Sequence, residues 1–339
     1  MSAPASRPKA GLPRHVARRA LLPLLAAPVL ACARGVARAQ GVWAPSRQLR
    51  LIVPFPPGGS TDMLARLTAE RMGAALGQPM VVDNRGGAAG SLAADMAAKA
   101  EPDGHTVFFC SVGTAATNQF VYRHIPHPGE ALTEVAAMFA LPNVATVPPG
   151  APWTNLGEFI SAAREAPGRL TYGSSGAGSS LHLTGAMLAH RAGIDILHVP
   201  YRGGGQMLNE LVAGRISIAF GNLPTAIGLL QAGTLRPIAV SGAARSPILP
   251  DVPSMAETLP GFATTVWYGL QVPRGTPPAA IARLNAEANA ALAAPEARAR
   301  FEPQGVSAMG GSPQDFTRFV RAETAQWREI ITAAQITAD

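Results

Sequence analysis

The chain has 339 residues, 47% of them hydrophobic and 6% aromatic, which is enough for two ordinary domains cored mainly by Ala, Leu and Val. Its net charge of +7 suggests a nucleic-acid binder. However, seven of the 28 basic residues and none of the 21 acidic ones lie in residues 1–39, so the rest is balanced at 21 of each, and a basic nucleic-acid surface is excluded.

The basic start reads as an export signal. Arg7, Lys9, Arg14, Arg18 and Arg19 form a positive region. Residues 20–33, ALLPLLAAPVLACA, form an apolar run too short for a comfortable membrane span, and Ala37-Arg38-Ala39 gives a small-x-small cleavage pattern. Residues 1–39 are therefore expected to be a signal peptide cleaved after Ala39, with the remainder periplasmic. Val29-Leu30-Ala31-Cys32 also fits a lipoprotein box that would anchor the chain through Cys32. Arg18-Arg19 also fits a twin-arginine signal, and both alternatives stay open at this point. Cleavage leaves Cys110 as the single cysteine, so no intrachain disulfide is expected.

From residue 47 the pattern alternates strand and helix. Strands are predicted at 49–55, 80–83 and 106–111, with helices at 61–76 and 90–100. Pro102-Asp103-Gly104 supplies a turn. After residues 143–150 (NVATVPPG) a second alternation begins, with helices at 154–165, 179–192, 205–213 and 225–232. Its strands are predicted at 170–173, 196–199, 216–220 and 236–240. Such repeats imply largely parallel sheets covered by helices on both faces. Val147-Pro148-Pro149-Gly150 and Val272-Pro273-Arg274-Gly275 are near matches, each closing an apolar strand. They are taken to mark two crossings between domains: residues 40–146 plus 267–339 as the first, residues 147–266 as the second. At the C-terminal end Ile281, Leu284, Ala288 and Leu292 form one helical stripe. Phe316, Phe319, Val320, Trp327, Ile330 and Ile331 form another. Ser312-Pro313-Gln314-Asp315 opens the latter with a cap, a proline and an early acid, and both stripes are expected to fold back on the first domain.

Five strand ends carry a small-residue loop into a helix. These are VPFPPGGSTD (53–62), NRGGAAG (84–90), YGSSGAGSS (172–180), PYRGGG (200–205) and Gly221-Asn222. Ligands of open parallel sheets bind at the carboxyl ends of strands. Helix N-termini there present unpaired N–H groups and partial positive charge, and glycine lets an anion approach the backbone. Ser60, Thr61 and Asp62 are each able to cap the first helix. No GxxxxGK[ST] occurs, and Gly173-Ser-Ser-Gly-Ala-Gly178 does not match GxGxxG, so neither a P-loop nor a dinucleotide site is indicated. Arg85 and Arg202 are the main cations near these loops, and a carboxylate fits them better than a polyphosphate.

Catalytic and metal signatures are sparse. Ser175 lies one residue short of a GxSxG elbow, and His182 follows the same loop. Pro126 separates His124 from His127 and spoils a helical metal pair. No enzyme activity, cofactor or metal is expected, with a hydrolase using Ser175 and His182 as the alternative.

The runs IVPFPPGGSTD, VVDNRGGAAGS, PDGHTVFF, TYGSSGAGSSLHL, VPYRGGG, FGNLP, SPILPDVPSMAE and GTPPAAIARLN, in this order over about residues 47 to 333, resemble the Bug family. These are the TctC-like solute-binding proteins of tripartite tricarboxylate transporters. The resemblance implies a two-domain, type II-like periplasmic binding protein of α/β class, a small carboxylate held between the domains, and hinge closure. It implies two membrane transporter subunits as partners, or a membrane histidine kinase if the receptor senses rather than transports. It also implies no nucleic acid and a monomeric state. In the family the first strand–helix loop and a loop of the second domain pinch a carboxylate. Carried over here, this points to Phe55, Gly58, Gly59, Ser60 and Asp62 on one side and Ser174, Ser175, Gly178 and Ser179 on the other. Tyr201, Arg202, Gly203 and Asn222 are expected nearby. Gly221 stands where many relatives carry an acid, which argues against an amino-acid ligand.

Overall fold

A computed structural model describes residues 43–122 and 129–337. The proposed cleavage site, Cys32, Arg18-Arg19, and the His124 and His127 pair lie outside the described residues. In chain order the elements are β1 (Leu49–Val53), α1 (Ser60–Leu76), β2 (Met80–Asn84), α2 (Ser91–Ala98), β3 (Thr106–Ser111), α3 (Asn118–Val121), β4 (Leu132–Leu141) and β5 (Asn143–Val147). There follow α4 (Leu156–Glu165), β6 (Thr171–Ser174), α5 (Ser180–Ala192), β7 (Leu197–Pro200), α6 (Gly204–Val212), β8 (Ile218–Asn222), α7 (Leu223–Gln231) and β9 (Arg236–Val240). The chain closes with α8 (Met255–Thr258), β10 (Val266–Pro273), α9 (Pro278–Ala293), α10 (Pro295–Phe301), β11 (Ser307–Ala308) and α11 (Pro313–Ala333). The alternation read from sequence is present throughout. β4 and the π-helical turn Gly113–Thr117 answer to no sequence expectation.

The strands form two sheets, in the orders β11-β4-β10-β3-β1-β2 and β7-β6-β8-β5-β9. β1 pairs in parallel with β2 and β3, and β6 with β7 and β8. β10 in the first sheet and β5 in the second run antiparallel to both neighbours. Each sheet is covered on both faces, as β10 illustrates. Val266, Tyr268, Leu270 and Val272 join the core under α1 and α9, while Trp267 joins the core under α2 and α11. The C-terminal helices do fold back on the first sheet. α11 opens with a capping box in which Ser312 accepts from the Asp315 amide and Asp315 reaches back to the Ser312 amide.

The chain passes between sheets earlier than the proline–glycine motifs suggest. β4 belongs to the first sheet and β5 to the second, so the outward crossing is at Pro142. The return runs between β9 and β10. Val147-Pro148-Pro149-Gly150 and Val272-Pro273-Arg274-Gly275 sit at the far ends of the two antiparallel strands, not at the crossings. A buried hydrogen-bond chain ties the crossings together. The Asn143 amide donates to Ser241 Oγ (2.9 Å), Ser241 Oγ donates to the Thr264 carbonyl (2.8 Å), and Asn143 Nδ2 donates to Thr184 Oγ1 (2.9 Å). Thr184 in turn bonds Thr264 through their hydroxyls at 2.9 Å.

Candidate functional site

The loops after β1, β6, β7 and β8 meet over a cleft of about 570 Å3, within the size range of small-molecule sites. Its walls are the first turns of four helices. Gly59, Ser60 and Thr61 come from α1, Ser179 to Leu181 from α5, Gly203 to Gln206 from α6, and Asn222 and Thr225 from α7. Three of these helices, α1, α6 and α7, have N-caps (Gly59, Gly203, Asn222) that make no side-chain capping bond. The first N–H groups of α6 and α7 are thus left without a side-chain acceptor, the arrangement that suits an anion, whereas the first of α1 goes to Thr225. A Cβ built on Gly59 or Gly205 meets nothing within 4 Å, so side chains there would occupy open space at the wall.

Ser60, Thr61 and Asp62 do not cap α1. Instead Ser60 and Thr61 serve a buried hub around the Tyr268 hydroxyl. Thr61 Oγ1 donates to it at 3.0 Å, Asn222 Nδ2 donates to it at 2.9 Å, and Ser60 Oγ lies at 3.3 Å. Asn222 Nδ2 also donates to Ser60 Oγ at 2.6 Å, and the Ser60 amide donates to Thr225 Oγ1 at 3.1 Å. The hub therefore bonds the first sheet to the second directly at the cleft wall. Burial raises the Tyr268 pKa, opposed by the bonds from Ser60, Thr61 and Asn222, so the phenol stays protonated. Asn222 Oδ1 is buried without a hydrogen-bond partner.

Asp62 braces the opening loop from behind. Its carboxylate accepts from the Gly58 amide (3.1 Å), Arg66 Nε (3.0 Å) and Asn84 Nδ2 (3.0 Å), and Asn84 Nδ2 also reaches the Phe55 carbonyl. Burial alone would raise its pKa. The hydrogen bonds from Arg66, Gly58 and Asn84 outweigh that and hold it below the usual carboxylate range. Pro56, Pro57, Gly58 and Gly59 are left bare along the cleft.

The second-sheet loop is held by two stacked histidines whose ring centroids are 4.0 Å apart. The Gly178 amide donates to His182 Nδ1 at 3.0 Å, and Ser174 Oγ lies 2.6 Å from His198 Nε2. Burial lowers the pKa of His182 to about 3, with the neighbouring His198 contributing, and burial lowers His198 to about 4. Both rings are neutral at pH 7.

Of the residues expected at the site, Phe55, Gly58, Gly59, Ser60, Ser175, Ser179, Arg202, Gly203 and Asn222 line this cleft. Tyr201 lines an adjoining hollow of about 540 Å3. Asp62, Ser174 and Gly178 line neither, because each is spent on shaping its loop. Arg85 is also absent from both linings, its guanidinium bonded to Asp83. Among the described residues Arg202 is the single charged residue lining either hollow, and its guanidinium has no ion-pair partner there. Ser175 and His182 make no hydrogen bond to each other; His182 is 5% exposed and lies beneath the loop rather than in the cleft. Thr61, read from sequence only as a possible cap, lines the cleft, as do Ser111, Thr225 and Tyr268, which were not singled out. Thr61 lies within the loop motif 53–62 and Thr225 just after FGNLP. Tyr268, inside the apolar strand VWYGLQVP, carried no signal.

Two helix-covered α/β sheets exchanging strands beside a cleft walled by helix N-termini define a solute-binding receptor of the periplasmic binding-protein class. The chain belongs to the tripartite tricarboxylate transporter family of receptors, whose model matches residues 64–336. A UPF0065 protein from the tcbD-tcbE intergenic region of Pseudomonas sp. (strain P51) is 38% identical over 320 residues, 93% of this chain and 95% of its own length. Among solved structures, R. palustris Rpa4515 with adipate matches with a TM-score of 0.83 at 40% identity, covering 86% of this chain and 98% of that one. MatC (Rpa3494) from Rhodopseudomonas palustris with bound malate matches with a TM-score of 0.81 at 32% identity, covering 85% and 99%.

Proposed function

We propose that this protein captures a small organic carboxylate in the periplasm, between its two sheets, and delivers it to the membrane subunits of a tripartite tricarboxylate-type transporter. The observation that carries the reading is the meeting of three helix N-termini whose N-cap side chains make no capping bond, on a cleft where Arg202 is the only charged lining residue among the described residues. Such a site favours an anion and offers no carboxylate to a ligand amine, in keeping with Gly221 beside Asn222. Adipate and malate in the two related structures are both dicarboxylates, which supports the ligand class. The sheets act as two lobes, exchanging at Pro142 and between Ser241 and Val266, and the ligand draws them together.

The test is thermal unfolding of the purified protein against a panel of mono-, di- and tricarboxylates. A ligand at a hundred times its Kd stabilises by about 2.7 kcal/mol, a rise of roughly 4 °C for a chain of this size. The reading fails if no carboxylate raises the midpoint and mass spectrometry of the denatured protein finds no carboxylate carried through purification.

A further inference from the structure

The start of α1 reaches the cleft wall with its first amide already engaged. The Ser60 N–H is donated to Thr225 Oγ1 at 3.1 Å. The two residues stand 165 positions apart and belong to different halves of the fold. Ser60 opens the helix after β1 of the first sheet, and Thr225 lies in the first turn of α7, after β8 of the second. An orphan amide at a helix N-terminus is the donor that an anion takes. Here a hydroxyl oxygen from the facing wall holds the position that a ligand oxygen would need.

Thr225 can release that amide without losing a partner. A threonine on a helix has two favoured rotamers, because its hydroxyl can also bond the carbonyl three or four residues back. For Thr225 those carbonyls belong to Asn222 and Gly221. Its methyl lies toward the start of α6, where a Cβ built on Gly204 would stand 3.8 Å from Thr225 Cγ2. One rotation about χ1 therefore takes the hydroxyl off Ser60 and offers it a backbone acceptor. The two sheets stay joined meanwhile, since Asn222 Nδ2 still donates to Ser60 Oγ at 2.6 Å and to the Tyr268 hydroxyl at 2.9 Å.

Resting on the carboxylate reading above, we propose that Thr225 is an internal competitor for the ligand: its hydroxyl holds the Ser60 amide until a carboxylate oxygen displaces it. It thereby acts as a specificity-determining residue. A lone small anion exchanges one bond for another at Ser60 and gains little. An acid that also engages Arg202 is anchored elsewhere in the cleft and displaces the hydroxyl readily.

The experiment compares the unmodified protein with Thr225→Val, of nearly the same shape but without the hydroxyl, and with Thr225→Ser. Kd is measured by isothermal titration with malate, adipate and citrate, and hydrogen exchange at the Ser60 amide is followed by NMR. Thr225→Val should tighten binding about threefold to tenfold, the net worth of one neutral hydrogen bond. Before ligand is added, the Ser60 amide should exchange faster in Thr225→Val than in the unmodified protein, and saturating ligand should slow it in both. Thr225→Ser should keep that amide protected and tighten binding less than valine does. Equal or weaker binding by Thr225→Val, where the unmodified protein binds, overturns the inference and leaves the carboxylate reading standing. Tightening as large in Thr225→Ser also overturns it, because the hydroxyl would then not be the cause. A Ser60 amide that exchanges freely in the unmodified protein before ligand is added overturns it whether or not the variants fold. Binding of none of the acids by any of the three proteins removes the carboxylate reading, and the inference with it.

Discussion

Acid should weaken this protein through a buried ring, and replacing that ring should remove its share of the effect. His182 is 5% exposed, stacked on His198, and accepts the Gly178 amide at Nδ1. Its pKa is about 3 in the folded chain against an ordinary 6.5. Between those values the unfolded chain binds the proton and the folded one does not. Stability is therefore full above pH 6.5 and falls as pH drops toward 3. At pH 5 the loss from His182 is about 2 kcal/mol by this linkage, or roughly 3 °C in Tm. His198, with a folded pKa of about 4, adds a loss of similar size at that pH. The variant is His182→Asn, whose Oδ1 takes the place of Nδ1 as acceptor for Gly178. It should lose some stability at pH 7.5 from the missing ring, yet show a fall in Tm between pH 7.5 and 5 that is roughly 3 °C smaller than in the unmodified chain. The assay is a thermal melt at half-unit pH steps in matched ionic strength. An acid-side slope that is the same in both proteins refutes the reasoning, because it would mean His182 titrates alike folded and unfolded.

Three further outcomes are expected. Gly59→Asp places a carboxylate at the uncapped start of α1; it should stabilise the fold by about 0.3–1 kcal/mol through the helix dipole yet reduce carboxylate affinity at least about tenfold, read by melting and titration on the same sample. Gly269→Ala builds a methyl 2.1 Å from Phe316 Cζ and 2.9 Å from the Ala136 carbonyl, so the α11 contact must shift, and a loss of about 3 kcal/mol is expected in urea denaturation. Cys110 is fully buried, and burial raises its thiol pKa far above the usual range with Glu134 adding to the shift; iodoacetamide should leave it unmodified at pH 8 until denaturant unfolds the chain.

Most of the secondary structure was legible because its causes are local. The period of apolar residues shows which faces are buried, and Gly, Pro and Ser mark where the chain turns. The strand at 106–111 and the capping box at Ser312 and Asp315 agree with the structure residue for residue. β4 escaped because LTEVAAMFAL mixes strand and helix formers and is buried on both faces, so it shows no clean alternation. The outward crossing was placed one strand too late for a related reason, while the return bound at 266/267 falls at the start of β10. A proline–glycine pair ends a strand wherever it falls, and nothing local distinguishes an outer turn from a passage between sheets.

The sequence by itself determined that strand–helix loops rich in glycine and serine stand at five strand ends, and that the cleft-forming part of the chain is neutral. It determined this because φ/ψ preferences, helix capping and charge act over a few residues. Only the tertiary structure decided which loop atoms face the same space. Asn222 meets Ser60 across 162 positions and Thr61 meets Tyr268 across 207. Asp62 and Ser174, close neighbours of lining residues, are turned to bracing instead. Whether a polar side chain in a loop lines the cleft or supports the wall depends on the unpaired donors that packing brings beside it, and those donors come from distant parts of the chain.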